Sequence, residues 1–181
     1  DRAGAVWDAL VAAGAAHGIR AFGVEAQRIL RLEKGHLIIG QDTDGLTNPF
    51  EAGLGWAVRM DKKFFVGQRS LRLLQKRPIE QQLIGFTLRA DPAEVPEPCC
   101  LAIDGTRIAG RLTSIGWSDA AQAYVGLAYL NPVLAKLGAR FSLRNPRGNL
   151  VEAQVTPTPF YDPEHARQRV DDSAPDGRVA A

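Results

Sequence analysis

An α+β chain is predicted, with mixed helix and strand over residues 1–77, an all-β module over 78–165 and a polar tail over 166–181. Three observations carry the prediction. Apolar residues recur at helical spacing in two stretches near the N-terminus. From Leu83 onward the pattern turns to about six short apolar runs at close spacing. Turn chemistry joins those runs, with Asp104-Gly105 and Pro146-Arg147-Gly148-Asn149 placed to close hairpins. Short strands so arranged imply a small antiparallel barrel or sandwich.

Each element follows from local pattern. Ala3, Val6, Trp7, Leu10 and Val11 place an amphipathic helix over 2–17, with Asp1 as N-cap and Gly14 and Gly18 at its far end. A second helix covers 24–34. Glu25 sits in its first turn and Lys34 in its last, as the helix dipole prefers, and Gly35 stops it. Residues 36–50 carry Asp42, Asp44, Gly45, Asn48 and Pro49, which is loop chemistry. A strand is expected at about 54–60, then a helix over 66–76 with Val66, Leu71 and Leu74 inward and Pro78 after its end. Strands follow at 83–88, either side of Asp104-Gly105 within 100–117, at 123–130, and either side of Pro146–Asn149. From about Asp171 the chain is polar, with Ala, Gly and Pro, and disorder is expected there.

Composition narrows the function. The chain is 45% hydrophobic and 23% charged, enough for a packed core, and its net charge of +2 does not suggest a nucleic-acid binder. No apolar run is long enough to cross a bilayer. The start, Asp1-Arg2-Ala3-Gly4, has neither Met nor a signal segment and reads as an internal cut point. Cys99 and Cys100 are adjacent, which strains a disulfide and leaves a zinc site short of ligands. A reduced pair beside a strand, in a cytoplasmic protein, is expected.

Chemical motifs are sparse. There is no P-loop, no G-x-G-x-x-G and no H-E-x-x-H. His17, His36 and His165 lie far apart, and Ser70, Ser114 and Ser118 lack a nucleophile-elbow context. Gln41-Asp42-Thr43-Asp44-Gly45 begins like a calcium loop but lacks the third acid and the downstream Glu. No metal site is assigned. More informative is Asn48-Pro49-Phe50-Glu51-Ala52-Gly53-Leu54-Gly55-Trp56. Glycines there allow close approach, and Trp56 offers a flat face for a heteroaromatic ring.

Residues 30–71 tie these pieces together. Leu30-Arg31-Leu32-Glu33-Lys34-Gly35 is followed by Gly40-Gln41-Asp42, by Thr47-Asn48-Pro49-Phe50-Glu51, by Gly53-Leu54-Gly55-Trp56 and by Phe65-Val66-Gly67-Gln68. The order resembles the glycine-cleavage T-protein family of aminomethyltransferases. Thr113–Ser118 and Val155–Tyr161 are similar to that family's barrel turn and closing strand, so the resemblance spans about residues 5–170. The wording of Glu33–Gly45 is most similar to the large (alpha) subunit of heterotetrameric sarcosine oxidases.

The resemblance implies that residues 1–77 are the C-terminal part of a folate-binding domain, followed by a small antiparallel β-barrel. It implies transfer of a one-carbon unit, from oxidised sarcosine as an iminium, to tetrahydrofolate, giving 5,10-methylenetetrahydrofolate. Flavin and NAD are implied elsewhere in a parent complex, not in this chain. Trp56 matches the tryptophan at the family's folate pocket. Gln27 falls where the family has a folate-contacting Arg, so either Arg28 substitutes for it or the contact with folate is weaker. His36 and Glu51 lie near the pocket. Arg167 and Arg169 are both candidates for the Arg that reaches back to folate, a charge suited to its carboxylates. The family's catalytic acid belongs to the N-terminal half of the domain. No catalytic residue is therefore assigned here, and the chain alone is expected to be inactive. The implied partners are tetrahydrofolate, that N-terminal half and other sarcosine oxidase subunits, with no nucleic acid and no membrane. A stand-alone glycine-cleavage aminomethyltransferase, fed by a lipoyl carrier protein, and a non-catalytic folate-binding relative are the alternatives.

Overall fold

The computed structural model describes residues 2–169, so Asp1 as N-cap and the tail beyond Asp171 lie outside the described residues. Helix α1 (Ala3–Gly14) runs into a 3-10 turn, Ala15–His17, and ends at Gly18 with a left-handed φ of 72°. Helix α2 (Val24–Glu33) ends in a Schellman closure. The His36 amide donates to the Arg31 carbonyl and the Gly35 amide to Leu32, both at 2.8 Å, with Gly35 at φ 68°. Helix α3 is Gln68–Leu74.

Six strands follow: β1 (Gln82–Leu88), β2 (Leu101–Asp104), β3 (Arg107–Ser118), β4 (Ala123–Leu130), β5 (Arg140–Arg144) and β6 (Leu150–Thr156). All pair antiparallel in the order β1-β4-β3-β2-β5-β6, and β6 closes on β1 through Phe86 opposite Val155. Closure removes every sheet edge. The interior is filled by Ile84, Phe86, Leu88, Leu112, Leu130, Phe141, Leu143 and Val155, with the Phe86 and Phe141 rings edge to face at 5.7 Å.

Strand β4 is buried along nearly its whole length, which alternation alone does not produce. Its inward residues, Ala128 and Leu130, line the barrel. Its outward Val125 and Leu127 meet Leu32 of α2, with Leu83 and Phe160 around them. Helix α2 lies across β3 and β4. Gly116 permits this, since a methyl group there would collide with Ile29.

Three sequence expectations need correction. Residues 54–60 are not a strand. Gly55–Ala57 is a 3-10 turn, because among the described residues no neighbouring strand pairs with it, and the amides of Ala57 and Val58 bond back to Leu54 and Gly55. Val66 does not face a core; it is 93% exposed, while Leu71 and Leu74 are half-buried. The hairpin turn is Gly105-Thr106 rather than Asp104-Gly105, since Asp104 still pairs with Arg107. Cys99 is exposed and Cys100 half-buried, both free, in the turn entering β2.

Helix α1 buries none of its residues, and Val6, Trp7 and Leu10 are each more than half exposed. Such a face drives association. Sedimentation of the 181-residue chain is expected to show concentration-dependent self-association that Trp7→Glu with Leu10→Glu removes; a monomer at all concentrations contradicts this. At Gly110 an added methyl would strike the Tyr129 carbonyl within the β3–β4 ladder. Gly110→Ala is expected to lower unfolding stability by at least about 2 kcal/mol, read by denaturant titration.

Candidate functional site

A cavity of about 480 Å³ lies on the outer face of the barrel. Its floor is Leu83, Ile84 and Gly85 of β1 with Leu127 of β4. One wall is Gly35-His36-Leu37, the chain leaving the α2 cap. The opposite wall is Ala52-Gly53-Leu54 and Trp56, from the turn that the Leu83 amide ties to the barrel through the Glu51 carbonyl at 2.8 Å. Thr158 completes the lining. Trp56 is 81% exposed, an unusual state for so large a ring unless something stacks on it. His36 is the single titratable side chain in the lining, which holds no carboxylate among the described residues.

The structure brings Trp56 and His36 together and sets the other candidates elsewhere. Gln27 and Arg28 are exposed on α2, and Arg28 pairs with Glu25 at 3.0 Å. Glu51 turns its carboxylate away from the cavity, toward the Asn48 amide at 3.3 Å and Gln81 at 3.4 Å. Arg167 lies 5.8 Å over the Tyr161 ring, and Arg169 donates to the Glu164 carbonyl at 3.1 Å. None of these five lines the cavity.

Sequence reasoning missed a buried polar cluster behind the His36 wall. Asp42 is fully buried. Its Oδ2 accepts from Arg31 Nη1 at 2.6 Å and the Ile38 amide at 2.8 Å, and its Oδ1 accepts from the hydroxyls of Thr113, at 2.6 Å, and Ser114. Asp44 is also engaged. Hydrogen bonds from the Thr47 hydroxyl and the Leu46 and Thr47 amides, then the Arg111 charge, hold its carboxyl below the usual range. Both acids of the would-be calcium loop are thus spent on protein donors. The available signal was Arg31, a charge placed beside apolar Leu32 on α2, together with consecutive hydroxyls in a strand.

Comparison with known proteins follows the same division. Residues 1–62 match the family model described as GCVT N-terminal domain, and residues 81–162 match the glycine cleavage T-protein C-terminal barrel domain. An aminomethyltransferase of Halothermothrix orenii is 33% identical over 160 residues, covering 88% of this chain and 44% of that protein. The sarcosine oxidase subunit alpha of Corynebacterium sp. (strain P-1) is 34% identical over 172 residues, covering 90% of this chain and 18% of that protein. The crystal structure of the glycine cleavage system aminomethyltransferase T from Bartonella henselae superposes with a TM-score of 0.76 at 26% identity, over 89% of this chain and 44% of that one. The chain therefore spans less than half the length of these relatives.

Tyr129 lies beside the Asp42 cluster, fully buried, and Arg111 sits 5.2 Å over its ring. Its hydroxyl faces Thr47 without forming a hydrogen bond of normal geometry. Burial pushes the phenol above its usual value, against smaller opposing effects of Thr47 and Arg111. Above pH of about 10 the folded state then holds a proton that the unfolded state has lost, so stability falls as pH rises. Tyr129→Phe is expected to flatten that alkaline loss and to change stability at pH 7 by less than about 1 kcal/mol, because no hydrogen bond is removed. Destabilisation beyond that in a urea titration shows that the hydroxyl has a partner.

Proposed function

Because the chain belongs to the glycine cleavage T-protein family, we propose that it is the tetrahydrofolate-binding portion of a larger aminomethyltransferase-type enzyme. The observation that carries the reading is the exposed Trp56 ring at the edge of an apolar cavity on the barrel. A flat face beside an aliphatic floor suits a pterin or aminobenzoyl ring, and His36 across the cavity adds a polar contact.

Tetrahydrofolate enters this reading as the acceptor of a one-carbon unit held as an iminium or aminomethyl group, with 5,10-methylenetetrahydrofolate as product. The chain's own part is to bind and orient the acceptor. Trp56 stacks, Leu83 and Leu127 keep water from one side, and His36 faces the ligand. Gln27, Arg28, Glu51, Arg167 and Arg169 remain proposed contacts that need a ligand or further chain to draw them in. A carboxylate near the reacting nitrogen is assigned to the rest of the domain, upstream in a parent protein, which also covers the apolar face of α1.

Among aminomethyltransferase-type enzymes, the sarcosine oxidase alpha subunit is the preferred parent. The Glu33–Gly45 wording supports it, as does Gln27 where glycine-cleavage enzymes carry Arg. Flavin and NAD then belong to other regions of that parent, and the iminium is formed there. The stand-alone aminomethyltransferase is the competing parent.

Two measurements test this. In the parent protein, 5-formyltetrahydrofolate is expected to quench tryptophan emission, and Trp56→Phe is expected to remove the Trp56 share of that quenching. Trp56→Ala is expected to weaken binding, followed by calorimetry, about tenfold, the size of one lost aromatic stack. No binding to the parent sinks the folate reading. A yellow multi-subunit complex with folate-dependent capture of formaldehyde equivalents supports the sarcosine parent, and a small colourless protein the stand-alone one.

A further inference from the structure

We propose that Asp42 is the positioning residue of the cavity, setting the place of the Gly35–Ile38 wall, and of His36 within it, against the barrel. The ligand named in the test rests on the folate reading above, but the positioning role rests on geometry. The carboxylate accepts four donors from three parts of the chain: Arg31 of α2, the Ile38 amide of the wall, and the hydroxyls of Thr113 and Ser114 in β3. Four donors fill the lone-pair sites of a carboxylate, so no capacity is left for a metal or for solvent.

The barrel is shaped for this contact. In a regular strand, neighbours such as Thr113 and Ser114 point to opposite faces. Here the register of β3 on β4 shifts between Leu112 and Ser114, so two residues of β3 stand against one of β4. A bulge of this kind re-aims side chains and twists the strand. Both hydroxyls thereby reach one oxygen of Asp42. Ser114 Oγ also accepts from Arg31 Nη2 at 2.7 Å and from Gln41 Nε2 at 3.0 Å.

The cluster acts directly on the wall. Arg31 Nη1 donates to the His36 carbonyl at 3.1 Å while paired with Asp42. The wall is thus gripped at the carbonyl of His36 and the amide of Ile38, either side of Leu37. A buried ion pair of this kind is a weak source of net stability, because desolvation offsets its attraction. What it supplies is a defined geometry, and here that geometry is the gap between His36 and Trp56.

The test is Asp42→Asn in the parent protein. The amide keeps the shape but presents N–H groups to donors. Hydrogen exchange of the Ile38 and Gln41 backbone amides, and of the amide at the substituted position itself, is expected to accelerate about tenfold or more, while Phe86 and Val125 in the barrel keep their protection. Affinity for 5-formyltetrahydrofolate is expected to fall about tenfold or more, the effect of leaving buried charged partners unpaired. Glu94→Gln is the control. It breaks a polar cluster with Asn145, Asn149 and Arg147 at the β5–β6 turn and is expected to leave affinity unchanged. If Asp42→Asn does not fold, Ser114→Ala carries the same comparison with a smaller loss. Unchanged exchange in the wall overturns the proposal, as does faster exchange with affinity within about twofold of wild type. An unmutated parent that binds no folate sinks the functional reading, and exchange alone then decides the positioning role.

Discussion

A fully buried carboxylate, Asp42, joins the two parts of this chain. Helix α2 fully buries few of its own residues, Leu32 and Glu33. Ile29 and Leu32 seat against Gly116, Val125 and Leu127, and the remaining contact is polar. Asp42 draws Arg31, the wall and the β3 bulge to one point. A second tie sits further along α2. Glu33 is buried and accepts from Ser118 at 2.6 Å, while its carbonyl receives the Phe160 and Tyr161 amides. Lys34 donates to the Asp162 carbonyl at 2.7 Å. Burial pushes the Asp162 carboxyl up, but hydrogen bonds from Lys34 and the Ala166 amide outweigh that and leave it below its usual value. The helix is thus held by directional bonds at both ends of its last turn, and such bonds fix orientation more than they add stability.

The barrel makes that orientation useful. Closure satisfies the strand backbone, so β1 and β4 present a rigid outer face. The cavity is built on this face from two loops that have no regular structure of their own. Each loop is anchored to the barrel, the first by Asp42, Gln41 and Asp44 on β3 and the second by the Glu51 carbonyl and Leu83 amide. The site thereby inherits the rigidity of the sheet while keeping loop chemistry at its rim.

Much of the barrel was legible in sequence because its signals are local. Short apolar runs mark β1 and β4, and turn residues mark the hairpins around Gly105 and Pro146–Asn149. The α2 cap was legible for the same reason, since Gly35 serves only its own helix end. The segment 54–60 misled because an apolar run with Trp56 looks like a strand until one asks what it pairs with. The Asp42 cluster was illegible because its members lie up to 83 residues apart and its key feature is a one-residue register shift. No periodicity in β3 announces that Thr113 and Ser114 share a face. Likewise Arg31 reads as an ordinary helix-surface charge until the fold supplies its acid.

The division of labour in the site follows from what lines it. Binding a flat ring needs an aromatic face, an aliphatic floor and few polar groups, and Trp56, Leu83, Leu127 and His36 meet that need. Moving a proton near neutral pH in a one-carbon transfer needs a tuned acid or base within reach of the reacting atom. The carboxylates within residues 35–56, Asp42, Asp44 and Glu51, are each committed to protein donors, and Asp42 holds its loop in place. Freeing any of them for chemistry would loosen the surface that binds. A fold with this constraint separates the groups that shape the pocket from the group that reacts. Under the folate reading proposed above, the exposed apolar face of α1 is where the rest of the domain packs. In that same proposed reading, the cavity is one side of a site, held rigid so that chemistry supplied from the other side meets a fixed target.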